Sequence, residues 1–291
     1  MEKFPFYRWW KAHEIEKIWP ETLLKANERY CVTACSKFIN MNFIKDHAWV
    51  LSCGGDAAAA MLLHSQRTLF PVFNGISEVH TPSFLLRALG NIELYAIQGL
   101  REDTEIVEKM LLPIGYKVRE YRDFHLMMYD TMSVKKPVQH KVPSKYNLVF
   151  RKAVPEDEEK IMSLQELYEK EEVKLAGEEF NKRACRYNLS RILKKENIML
   201  SIIDGHIVGK INTNAASFSC VQIGGVFVHP KFRNHGIASA MTEAFVKTLQ
   251  GKGNKITLYV RKSNLSAYSC YKKCGFRKIA DYRTVYIHKK R

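Results

Sequence analysis

The chain has 291 residues, 46% hydrophobic and 11% aromatic, too apolar for a disordered segment and long enough for two domains with their own cores. A formal net charge of +16 fits a solvated basic surface, an anionic ligand or nucleic acid, of which specific nucleic-acid recognition is the weakest reading. No apolar run approaches the ~18 residues that cross a bilayer, and residues 1–11 scatter charges instead of reading as an export signal, so a cytoplasmic protein is expected.

In chain order, Phe4, Phe6, Tyr7, Trp9 and Trp10 form an aromatic cluster suited to core packing. Residues 48–52 and 57–63 read as strands joined through Gly54-Gly55-Asp56. Residues 94–97 read as a strand before a charged helical stretch, a turn at Gly115 and a further strand at 119–129. Residues 131–145 hold two prolines, basic charge and no sustained periodicity, which marks a boundary. The expected division is an α/β domain at 1–130, a linker at 131–145 and a second domain at 146–291.

The second domain holds 27 basic against 14 acidic side chains. It opens on a strand at 147–152 and a helix from Pro155, whose acidic first turn suits a helix N-terminus. A helix at 186–195 follows. Strands are expected at 198–203, 207–215 and 221–228, the first two joined by Asp204-Gly205.

Residues 226–238 run from an apolar strand through a proline-marked turn into a helix start, with Arg233, Gly236 and Ala238 in an Arg-x-x-Gly-x-Ala element. A helix N-terminus leaves amides without intrahelical partners and so favours a phosphate anion. The P-loop and dinucleotide fingerprints are both absent from the chain. Downstream, a strand at 255–262 leads into Asn264-x-x-Ala267-x-x-x-Tyr271-x-x-x-Gly275-Phe276, with Ser263 or Asn264 placed to cap a helix and Gly275 to end it.

These two elements, in this order, resemble the GNAT (N-acetyltransferase) superfamily over about residues 147–291. The resemblance implies an α/β (α+β) fold with a mixed, mostly antiparallel central sheet flanked by helices. It also implies acetyl-coenzyme A (acetyl-CoA) as co-substrate and an amine, on a small molecule or a protein, as acceptor. By the same resemblance Val226, Phe227 and Val228 would line the pantetheine arm. Arg233, Asn234, His235, Gly236, Ile237, Ala238 and Ser239 would surround the pyrophosphate, and Asn264 and Tyr271 would face the thioester. Tyr271 is then the candidate general acid toward the coenzyme sulfur, and an amide near Phe227 would polarise the thioester carbonyl.

The general base stays open. Residues 220–225 carry no carboxylate where such proteins often have a glutamate. Gln222 cannot take a proton, while Glu178, Glu179 and transfer through water are alternatives. A non-catalytic acyl-CoA-binding module is therefore the competing reading. No metal is expected: Cys31/Cys35 and Cys270/Cys274 are spaced four apart without zinc-site partners, and the seven cysteines read as reduced thiols.

The first half echoes the second. Leu94 to Gly115 parallels Leu258 to Gly275 with a four-residue insertion, yet no Arg-x-x-Gly-x-Ala element lies between residues 73 and 91. A degenerate GNAT-like first domain and chance similarity of two α/β segments both fit.

Overall fold

The computed structural model describes residues 7–11, 20–42, 44–53, 56–64, 67–76, 83–131 and 142–289. Most of the 131–145 linker, the Gly54-Gly55 turn, and Phe4 and Phe6 of the aromatic cluster lie outside these residues. The chain forms two compact units, Met1–Leu126 with Ile279–Arg291, and Met127–Lys278.

The elements of the first half are β1 (Tyr7–Lys11), α1 (Glu21–Asn27), α2 (Val32–Ile39), β2 (His47–Cys53), β3 (Asp56–His64), β4 (Thr68–Val72), α3 (Ser83–Gly90), β5 (Ala96–Leu100), α4 (Arg101–Leu111) and β6 (Tyr116–Tyr129). Those of the second are β7 (Leu148–Lys152), α5 (Glu158–Tyr168), α6 (Lys182–Lys195), β8 (Ile198–Ile203), β9 (His206–Ala216), β10 (Cys220–Val228), α7 (Ile237–Gln250), β11 (Lys255–Arg261), α8 (Leu265–Lys273) and β12 (Phe276–Lys289). The two series match element for element. In each, four antiparallel strands (β1 to β4, β7 to β10) are followed by a helix and a strand parallel to the fourth (β5, β11). The echo in the sequence is thus a repeated fold.

In each unit the strands are covered on two faces, as layered α/β domains require. In β3, Ala59, Met61 and Leu63 join one core while Ala60 and Leu62 join the other, beneath α1 and α2. This is why the strand is apolar at nearly every position. Trp9 belongs to the first of these cores, edge-on to Phe73 at 6.5 Å between ring centroids. In the second unit Val221 and Ile223 pack with Met241 and Phe245 of α7, whereas Ile198 and Leu200 pack with Ile161, Cys185 and Leu189 of α5 and α6.

The end of the chain departs from the expected 146–291 division. Along β12, Tyr282 pairs with Leu100 and Tyr286 with Ala96, antiparallel to β5, and Val285 and Ile287 are buried in the first unit's core. A strand's own pattern reports that it is half-buried; it does not report which neighbour it will pair with. No helix among the described residues is long and apolar enough to cross a membrane.

Candidate active site

The site is built where β10 leaves its parallel neighbour. Register with β11 runs only from Cys220↔Lys255 to Ile223↔Leu258, while β10 continues to Val228. On its other side, Gly224 pairs with Asn212 and Phe227 with Lys210, so β10 carries one residue more than β9. This is a β-bulge, which bends a strand and increases its twist. Both glycines are closely packed, and at Gly225 the backbone conformation also favours glycine. A Cβ on Gly224 would lie 1.9 Å from Asn214 Nδ2, and one on Gly225, whose φ is +58°, would lie 1.9 Å from Asn212 Oδ1.

Lys210 holds the bulge. Its buried ammonium donates to Gly225 O at 3.1 Å and Asn212 Oδ1 at 3.3 Å, and lies 4.5 Å from the Tyr168 ring. Burial lowers its pKa to about 8. Sequence reasoning missed this residue, although a lysine inside the apolar run Ile207-Val208-Gly209-Lys210-Ile211 was a signal.

Beyond β10, Pro230–Phe232 form one 3₁₀ turn, and Asn234 (φ +65°) and Gly236 (φ +72°) turn the chain into α7. The first bond into that helix is from Ala240 N–H to Gly236 O, 3.0 Å. The amides of Ile237, Ala238 and Ser239 therefore precede the first bonded donor, as an anion cradle requires. His235 packs edge-on to Tyr146 at 5.3 Å. Arg233, expected beside the pyrophosphate, is held by partners within the protein. Its guanidinium makes two hydrogen bonds to Glu171, donates from Nε to Val228 O at 3.1 Å and lies 5.0 Å from the Phe227 ring. It ties the loop in place, and the amides of Ile237, Ala238 and Ser239 are the unbonded donors at this corner.

Past α5 the chain makes a π-helical turn, Glu169–Val173, that brings three carboxylates to this corner. Glu172 lies 3.6 Å from Arg261 Nε and 3.5 Å from Asn264 Nδ2. Asn264 is first of all a helix cap, accepting from Ala267 N–H at 3.0 Å. Tyr168 stands edge-on to Phe227 at 5.9 Å. Tyr271 is buried, 6.1 Å from the Phe276 ring. Desolvation first, then the charges of Cys270, Tyr168, Cys274 and Glu172, push its pKa far upward, so its hydroxyl stays protonated.

Phe227 and Val228 are buried and Val226 half-buried along the stretch of β10 beyond its last β11 pair. Gln222 is buried on the same strand. Glu178 and Glu179 lie in the non-helical segment before α6, where Glu178 O accepts from Lys174 Nζ at 2.8 Å. Of the charges that raise the Tyr271 pKa, that of Glu172 is the smallest. Among the described residues no group of three or more His, Cys, Asp or Glu is arranged to hold a metal ion.

Residues 161–276 match the acetyltransferase (GNAT) family. No curated protein matches the chain. Among solved structures, a Drosophila protein is 14% identical with a TM-score of 0.59, over 99% of each chain. A GCN5-related N-acetyltransferase from Sphaerobacter thermophilus is 16% identical, TM-score 0.58, over 97% of this chain and 95% of its own. A tandem GNAT protein from the clavulanic acid biosynthesis pathway is 13% identical, TM-score 0.54, over 98% of each. At such identities the likeness is one of fold, and it extends across both units.

Proposed function

Starting from residues 161–276 as a GNAT acetyltransferase domain, we propose that the second unit transfers an acetyl group from acetyl-CoA to a primary amine of a small molecule or a protein, by direct attack on the thioester. Acyl transfer in general comes with the family. The observation supporting the cofactor is the parting of β10 from β11 directly before a helix whose first amides are unbonded.

In this reading the amides of residues 234–239 hold the pyrophosphate, and the backbone of Val226, Phe227 and Val228 pairs with the pantetheine arm as an added strand would. Acetyl-CoA supplies an activated acyl carbon with a thiolate leaving group. Lys210 fixes the bulge and so fixes where the Phe227 amide points. Tyr271, kept neutral by burial, retains a proton to give to sulfur, and Glu172 is the carboxylate available to take one from the amine.

One observation favours the second reading, an acyl-CoA-binding module without turnover: β10 carries Gln222 and no carboxylate. Calorimetry with acetyl-CoA, followed by measurement of free thiol over a panel of amines, separates the two. Binding with amine-dependent thiol release is expected of the enzyme. Binding without release on any amine selects the module, and no binding overturns both.

A further inference from the structure

Among the cysteines described as free, Cys31, Cys35, Cys185, Cys220 and Cys274 are buried, and Cys270 alone is half-buried. Cys270 Sγ lies 3.2 Å from Ser239 Oγ, in the first turn of α7. Cys274, one turn further along the chain, lies 3.6 Å from Ser239 O through its own Sγ. Two thiols thus converge on one residue at the end of a 14-residue helix whose first amides are unbonded. The positive end of a helix favours a thiolate.

The surroundings make the pair unequal. A hydrogen bond from Cys274, then one from Ser239, and the charge of Lys273 hold the Cys270 thiol below its ordinary range against the opposing effect of burial. The same hydrogen bond and burial push Cys274 upward. One sulfur is a nucleophile near neutral pH and the other keeps its proton, the asymmetry thiol oxidation exploits.

We propose that Cys270 and Cys274 are an oxidisable dithiol in the wall of the coenzyme cleft, and that closing it with a peroxide weakens binding of acetyl-CoA. The Cys270 thiolate attacks one oxygen of hydrogen peroxide; an S–O bond forms, the O–O bond breaks, and hydroxide leaves to be protonated to water. The Cys274 sulfur then attacks the sulfenic acid. An S–S bond forms, the S–O bond breaks, and the departing hydroxide takes the Cys274 proton. Two thiols are oxidised, one peroxide is reduced, and two waters result. Residues four apart in a helix have Cα atoms about 6 Å from each other, inside the range a disulfide spans. Their Cβ atoms are about 5–6 Å apart, wider than the roughly 3.5–4.5 Å of a bridge, so closure requires the last turn of α8 to distort. Bridging draws both sulfurs off Ser239 and twists the turn that holds Tyr271. The effect on affinity rests on the cofactor reading of α7; the oxidation does not.

The test uses the full chain. Trypsin cleaves after Lys262, Lys272 and Lys273, so the bridge appears as a cross-link between peptides 263–272 and 274–277. Peroxide is expected to yield that cross-link, dithiothreitol to remove it, and saturating acetyl-CoA to slow its formation. Cys274→Ser should stop at a dimedone-reactive sulfenic acid on residue 270, and Cys270→Ser should give neither product. Calorimetry on oxidised, still-folded protein should show acetyl-CoA bound at least about tenfold more weakly, with recovery on reduction. Absence of the cross-link in protein that binds acetyl-CoA normally overturns the dithiol, and unchanged affinity after cross-linking overturns its effect. Failure of the reduced protein to bind, with the cross-link forming, overturns the cofactor reading instead.

Discussion

Arg233 and Glu171 are joined by two hydrogen bonds of 2.9 and 2.8 Å that tie the loop before α7 to the π-turn after α5. Both side chains are more than one-third exposed, so the pair contributes at most about 0.5 kcal/mol to stability. Its larger effect is on local charge: Glu171 neutralises the Arg233 guanidinium beside the proposed phosphate cradle. Glu171→Gln should strengthen acetyl-CoA binding by about threefold at low salt, a gain that screening removes at high salt. Calorimetry at two ionic strengths checks it; weaker binding in the variant contradicts this arrangement.

Gly236 enters α7 at φ +72°. A β-branched residue there costs on the order of 1–2 kcal/mol and crowds the amides that follow. Gly236→Val should lower the melting temperature and abolish the upward shift given by acetyl-CoA. Differential scanning fluorimetry with and without the ligand reads both effects.

Tyr271→Phe should cut turnover by about a hundredfold and leave the acetyl-CoA dissociation constant within about twofold. Glu172→Gln should behave similarly. Because burial raises the Tyr271 pKa, loss of its proton cannot produce a fall in turnover between pH 8 and 10. Such a fall that is missing in Tyr271→Phe would show the hydroxyl titrating in that range and contradict its raised pKa.

Lys210 has a folded pKa of about 8, below its ordinary 10.5. The unfolded chain therefore binds more protons between these values, and this group's contribution to stability rises with pH across that window. Lys210→Met removes the titration, so its melting temperature relative to wild type should fall from pH 8 to 10. Turnover should also drop, because Gly225 O loses a partner at the bulge. A pH-independent difference would show that the ammonium does not titrate as inferred.

Asp103 in the first unit is buried, accepts from Phe73 N–H at 3.3 Å, and is pushed up to about 7 by desolvation. Its folded pKa exceeds the ordinary 3.8, so its contribution is full below about pH 4 and lost as pH rises through 7. Asp103→Asn should gain stability over wild type from pH 4 to 8 by on the order of 2–4 kcal/mol. Urea unfolding at both pH values gives the answer.

The second unit was legible because its signals are local. Asp204 and Gly205 form the expected left-handed turn, Gly275 (φ +92°) ends α8, and the Arg-x-x-Gly-x-Ala element stands on a strand, a turn and a helix start. What the sequence hid depends on distant partners. Nothing in the neighbours of Arg233 announces Glu171, 62 residues earlier. Lys210 stands out as a lysine in an apolar run, but nothing near it in sequence announces the bulge at Gly224 and Gly225 whose carbonyl it holds. Asn264 fills a motif position and turns out to cap a helix, two roles one residue type serves equally well.

The pairing of Tyr282–Tyr286 with β5 has a kinetic consequence for synthesis. While the ribosome is still making the second unit, the earlier one has β5 with an open edge and a core lacking Val285 and Ile287. Unpaired edges of this kind are templates for aggregation. The N-terminal unit is the first to be translated and cannot be the first completed.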